Sequence, residues 1–211
     1  MERMITLYLV RHGQTVWNSS GRYQGRTDVP LSDLGLDQAR QTALWFKDVP
    51  LDGVITSPLI RASKTAEGIA EIKGLPLEKE DRLKELSFGD WEGKTYQEIE
   101  AIWPGMIEAM YHDAGDLQLP HGESFEDCRK RCMEAVKDII ARGDNKTWAI
   151  VCHGAALRTI ICSMIHIPLA RCWNLALSNA CISAIQVYPG DMNVLYMLNS
   201  TDHLKGMKSG S

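Results

Sequence analysis

The stretch Leu7-Tyr8-Leu9-Val10-Arg11-His12-Gly13 decides the fold once it is set beside a second one, Trp148-Ala149-Ile150-Val151-Cys152-His153-Gly154. Each is a short apolar run that ends in His-Gly. A run of that length stopping at Gly reads as a buried strand that ends where the backbone needs freedom. Two such strands in one parallel sheet bring both imidazoles to its carboxyl edge, where open α/β sheets bind ligands. Two neutral nitrogens facing one crevice serve either a metal ion or a nucleophile with a helper. Arg11 favours the second, because a guanidinium repels a cation and grips oxyanion oxygens through paired donors.

Strands and helices alternate outward from these runs. Ser32 is predicted to open a helix reaching about Lys47, with Leu34, Ala39, Ala43, Leu44 and Phe46 on its buried side. Gly53 to Thr56 is a short strand, and Ser57-Pro58 reads as a helix start, Ser capping and Pro suiting the first position, for a helix to about Ile72. Leu77 to Glu80 is a weak edge strand. Thr95 to Asp116 has a helical pattern broken by Pro104 and Gly105, which predicts two short helices outside the sheet. Ser124 begins a helix to about Arg142, followed by strand Thr147 to Cys152 and helix Ala155 to Ile165. A hairpin around Pro189-Gly190 joins Ile182 to Tyr188 with Val194 to Leu198. The expected fold is α/β: a three-layer α/β/α sandwich around a mixed, mostly parallel sheet, with a small helical lid insertion. Residues 1–204 are expected to form one domain, with the lid at about 91–120 and a loose tail at 205–211.

With 211 residues, 45% of them hydrophobic, the chain can bury one full core. A net charge of -4 and the lack of a basic run argue against a nucleic-acid partner. No apolar run reaches membrane-spanning length and Met1-Glu2-Arg3-Met4 leads straight into a strand, so a cytoplasmic protein with no membrane partner is expected. The six cysteines lack Cys-x-x-Cys spacing and read as small buried thiols, neither a disulfide framework nor a zinc site.

The pocket looks built for an anion. Attack on a phosphate monoester needs a nucleophile, a cradle for three oxygens and a proton donor for the leaving oxygen. Arg11 and His12 end one strand; His153 ends another, with a helix behind it whose free amides would favour an anion. Arg61 falls in the first turn of its helix, an unfavourable place for a cation. It either meets a bound phosphate or pairs with a carboxylate such as Glu85. Glu85 itself, at the end of a charged run from Glu78, reads on its own as an ordinary surface carboxylate. His112, His121, His166 and His203 read as surface or capping groups. Trp91, Tyr96, Trp103 and Tyr111 either line a pocket or pack a lid.

Taken together, several blocks resemble the histidine phosphatase superfamily, the phosphoglycerate mutase-like proteins. They are Leu9 to Asn18, Gln24 to Ser32, Thr56 to Ala66, Leu83 to Gly93, Val151 to Gly154 and Asn199 to Leu204, in order along nearly the whole chain. The resemblance implies that His12 attacks phosphorus and becomes phosphohistidine while Arg11, Arg61 and His153 hold the phosphoryl oxygens. It further implies an amide from Asn18, Gln24 and Gly25 beside the substrate with Gly154 completing the pocket, and Glu85 as proton donor with Glu92 as its substitute. No metal and no cofactor is implied, since guanidiniums spread the charge.

The implied activity is hydrolysis of a small phosphate monoester, as in small phosphatases including α-ribazole phosphatase-like members. A bisphosphate-primed phosphoglycerate mutase and a non-catalytic phospho-ligand binder are the alternatives. A mutase needs further cations at the pocket mouth, and between Leu86 and Pro120 the only Lys or Arg is Lys94, which disfavours a mutase while Arg22 and Arg26 stand as the remaining extra cations. The acidic lid instead suggests a substrate neutral or cationic away from its phosphate. Self-association into a homodimer is left open.

Overall fold

The computed structural model describes residues 4–115, 117–190 and 192–207. Residues 208–211 of the expected tail lie outside the described residues. Six strands form one sheet: β1 (Ile5–Arg11), β2 (Gly53–Thr56), β3 (Leu77–Lys79), β4 (Thr147–Cys152), β5 (Ile182–Tyr188) and β6 (Met192–Ser200), in the order β3-β2-β4-β1-β5-β6. The first four are mutually parallel; β5 and β6 are antiparallel to their neighbours, so the sheet is mixed, as the terminal hairpin predicts. β1 and β4 lie side by side, Arg11 opposite Cys152. The chain leaves β1 in one direction and returns through β4, which makes their carboxyl ends the crevice.

Helices cover both faces. Successive β1 side chains point opposite ways, so Leu7 and Leu9 enter one core while Tyr8 and Val10 enter the other. The first core is closed by α6 (Phe125–Ile140) and α7 (Gly154–Met164), the second by α2 (Asp33–Trp45) and α3 (Ile60–Lys73). A single turn, α1 (Val16–Ser19), follows the first strand; α4 (Tyr96–Ile102) and α5 (Met106–His112), broken at Pro104-Gly105, sit away from the sheet. All six cysteines are free and buried. No helix among the described residues is long and apolar enough to cross a membrane.

Two local readings are corrected. The helix after β2 does not start at Ser57-Pro58: it begins at Ile60, and Leu59 at its N-cap supplies no side-chain bond. The Ser57 hydroxyl accepts the Leu59 amide at 3.3 Å and also has a tertiary partner, His153 Nε2 at 2.7 Å. Leu44 is exposed, and α2 turns Gln38 and Thr42 inward in its place. That choice is physical, because Gln38 Oε1 accepts the backbone N–H of Gln14 at 2.8 Å and so fixes the loop after β1.

The same loop crosses the first turn of α2 at Gly35, where a Cβ would collide with the Gln14 carbonyl oxygen. Gly35→Ala is expected to destabilise the protein by about 2 kcal/mol through overpacking. Because the displaced backbone carries His12 two residues upstream, turnover should fall further than the population of folded protein. Urea unfolding beside steady-state assays measures both.

Candidate active site

His12 leaves β1 at the crevice, its backbone N–H bonded to the Cys152 carbonyl at 3.1 Å. The side chain is 3% exposed and Nδ1 lies 2.7 Å from the Gly13 carbonyl. A carbonyl only accepts, so Nδ1 carries the proton and Nε2 presents a lone pair. Burial, then the charges of Arg61 and Arg11, hold the ring well below the ordinary imidazole pKa, which keeps it neutral. The His153 ring stands 5.2 Å away, fully buried, its pKa also pushed well down by burial and then Arg61.

Arg61 is fully buried. It donates to the Gly25 and Thr27 carbonyls at 2.6 and 2.9 Å, and bonds no carboxylate. Desolvation lowers its pKa to about 10, so it remains a cation at neutral pH. Arg11 donates Nη1 to the Leu177 carbonyl at 2.5 Å. Neither pairs with Glu85, so the ion-pair reading of Arg61 fails. What remains is a set of buried atoms with no partner: Arg11 Nε, Arg61 Nε, His153 Nδ1 and Gln24 Oε1. Buried polar atoms are ordinarily satisfied. With Ser57 donating to Nε2, the His153 Nδ1 becomes a third donor beside the two guanidiniums, a set matched to a tetrahedral oxyanion. Asn18 contributes in the same sense. Its Oδ1 accepts from Thr15 and Asn179, which leaves the amide nitrogen for the cavity it lines.

Glu85, 8% exposed, is held by backbone. Oε1 accepts from Leu86 and Ala156 at 2.8 and 3.0 Å, and Oε2 from Ala155 at 3.2 Å. Two amides at the start of α7, those of Ala155 and Ala156, are therefore occupied by this carboxylate, while Gly154 ahead of them lines the cavity. Arg131, which the sequence reading missed, fixes the segment that carries it: Nη1 bonds the carbonyls of Arg82 and Lys84, and Nη2 that of Glu85 at 2.8 Å. Glu123 pairs with Arg131 and also accepts from Ser87 N and Arg26.

These residues surround a cavity of about 410 Å³ lined by Arg11, His12, Gln24, Gly25, Glu85 and Gly154, among others. Tyr96 and Tyr111 line it, whereas Trp91 is fully buried in the core and Trp103 packs against it. Glu92, whose carboxylate accepts from the Arg26, Thr27 and Phe88 amides, is not among the residues that line the cavity, which leaves Glu85 as the carboxylate placed there. No acidic lid residue among the described ones lines the cavity: Glu98 caps α4, Glu100 bonds Gly105 N and Asp90 meets His121. The expectation of a cationic or neutral substrate therefore loses its basis. Arg158 lines the cavity and was not anticipated. Its signal was available: it is the lone charged side chain of an otherwise apolar α7.

Both histidines are neutral when folded and take up protons once unfolded below about pH 6.5. The unfolded state then binds more protons, so stability is complete above that pH and declines below it, by up to about 1.4 kcal/mol per histidine per pH unit. Urea unfolding between pH 8 and 5 should show this slope, and replacing both histidines by Gln should reduce it, the remainder coming from His203 and from carboxylates whose pKa is also lowered on folding.

A family model described as Histidine phosphatase superfamily (branch 1) matches residues 7–200. Phosphoserine phosphatase 1 of Hydrogenobacter thermophilus is 33% identical over 95% of this chain and 95% of its own. A probable phosphoglycerate mutase GpmB of Erwinia tasmaniensis is 32% identical over 86% of this chain and 85% of its own. The solved structure of Bacillus stearothermophilus YhfR superimposes with a TM-score of 0.89 at 32% identity, covering 95% of this chain and all of that one. With the sheet, the crevice and these matches in agreement, the chain belongs to the histidine phosphatase superfamily.

Proposed function

We propose that the protein hydrolyses a small phosphate monoester through a phosphohistidine on His12. The observation that carries this is the set of unpartnered buried donors on Arg11, Arg61 and His153, two of them on residues that line the His12 cavity and the third on the ring 5.2 Å away, beside an imidazole whose Nε2 edge is left free by the Nδ1 bond to Gly13. In this reading the donors hold the phosphoryl oxygens and Nε2 attacks phosphorus as the ester P–O bond breaks. Glu85 gives its proton to the departing alcohol oxygen; Oε2, bonded by one amide against two on Oε1, is the oxygen with room for it. Water then enters, Glu85 recovers a proton from it, and its oxygen displaces His12 to release phosphate. Two guanidiniums supply the charge stabilisation that the developing transition state requires.

Phosphoryl transfer to a second hydroxyl is the other reading, favoured by the likeness to a probable mutase. It needs a basic cluster at the mouth, and Lys94 is spent on the Asp90 carbonyl. The six free buried thiols fit a cytoplasmic setting.

His12→Ala is expected to abolish hydrolysis of p-nitrophenyl phosphate and of a metabolite panel, and rapid quench of the wild type should trap acid-labile phosphate on His12. Glu85→Gln should slow alkyl phosphates by about a hundred- to ten-thousandfold, and p-nitrophenyl phosphate less, since its leaving group needs no proton. Full activity in His12→Ala overturns the reading.

A further inference from the structure

The phosphoryl cradle leaves one cavity guanidinium without a task. Arg158, from the second turn of α7, donates Nε to the Leu175 carbonyl at 3.0 Å and Nη1 to the Gly154 carbonyl at 3.1 Å. Its Cζ sits 4.4 Å from the centre of the Trp173 ring. No carboxylate among the described residues bonds it, whereas surface arginines such as Arg82, Arg129 and Arg142 each hold at least one. A largely buried cation held only by carbonyls and an indole face carries a desolvation cost that an arriving anion would offset. Arg22, the other cation at the mouth, is already tied to Glu98 and the Gly93 carbonyl.

Arg158 also stands close to the cradle. A Cβ on Gly154 would lie 3.2 Å from Arg158 Nη1 and 3.4 Å from Arg11 Nε, so the two guanidiniums flank one glycine. Burial, then the charge of Arg11, lowers the Arg158 pKa to about 10, which still leaves it charged at neutral pH. When Glu85 is protonated to act as an acid, three guanidiniums face a phosphate dianion. One positive charge, that of Arg158, is left over in the cavity.

We propose that Arg158 binds a carboxylate on the leaving group, so that the substrate is the phosphate ester of a small hydroxy acid. The proposal rests on the phosphomonoesterase reading and deepens it. A carboxylate fits better than a second phosphate, because two donors of this guanidinium are already spent on carbonyls and a phosphate dianion calls for several cations. Size is limited from the other side, where Tyr23 and Tyr111 line the cavity and the Tyr111 ring packs 5.0 Å from Trp173. Arg158 and the lid thus meet through one indole.

O-Phosphoserine and O-phosphoethanolamine differ only by the carboxylate. The wild type should prefer the first in kcat/KM by about tenfold to a hundredfold, the range for hydrogen bonds to a charged group. In Arg158→Met the ratio should fall to near unity, mainly through KM, and Arg158→Lys should recover part of it. An equal slowing of both esters, or a wild-type ratio near unity, overturns the proposal. Preference for fructose 1,6-bisphosphate over phosphoserine, lost in Arg158→Met, would assign the residue to a second phosphate and overturn it too. Thermal shifts with the two esters read the same preference without turnover. A protein that binds phosphoserine selectively through Arg158 yet never cleaves p-nitrophenyl phosphate would defeat the hydrolytic reading alone.

Discussion

Everything at this site follows from burying positive charge without pairing it to a carboxylate. Arg11, Arg61 and Arg158 are bonded to main-chain carbonyls, which orient a guanidinium without neutralising it. A carbonyl dipole offsets part of the desolvation and leaves the formal charge free to act on a ligand. The same field keeps both imidazoles neutral, since burial and the nearby guanidiniums disfavour their cations. Attraction for an oxyanion and nucleophilicity of His12 are thus two effects of one arrangement.

The carboxylate that lines the crevice among the described residues is kept from collapsing onto those cations. Glu85 is held by three amides, and its backbone by the Arg131 fork. Arg131 can afford this because Glu123 neutralises it outside the cavity. Had Glu85 been carried on a freer loop, an ion pair with Arg61 would have filled the oxyanion space.

What the sequence disclosed was what strands and turns encode locally. The two His-Gly strand ends are legible because apolar runs and glycine stops are local signals, and parallel pairing then places their imidazoles together. Ser57 was misread for the complementary reason: its capping preference is local, whereas its partner His153 is distant in sequence and took precedence. Arg131 was hidden in the charged run Arg129-Lys130-Arg131 of α6, where nothing local distinguishes the one side chain that turns inward. The lid acids misled because composition gives their number and not their direction.

One more relation ties distant parts of the chain. Gly25 adopts φ +55, and a Cβ there would overlap the Glu92 carboxylate that braces the Arg26 and Thr27 amides. Those amides in turn set the carbonyls that Arg61 grasps. Drift at either position is therefore blocked unless the other yields first. In lineages that diverge from this chain the pair should be inherited or replaced together, a linkage written into the backbone rather than into the reaction.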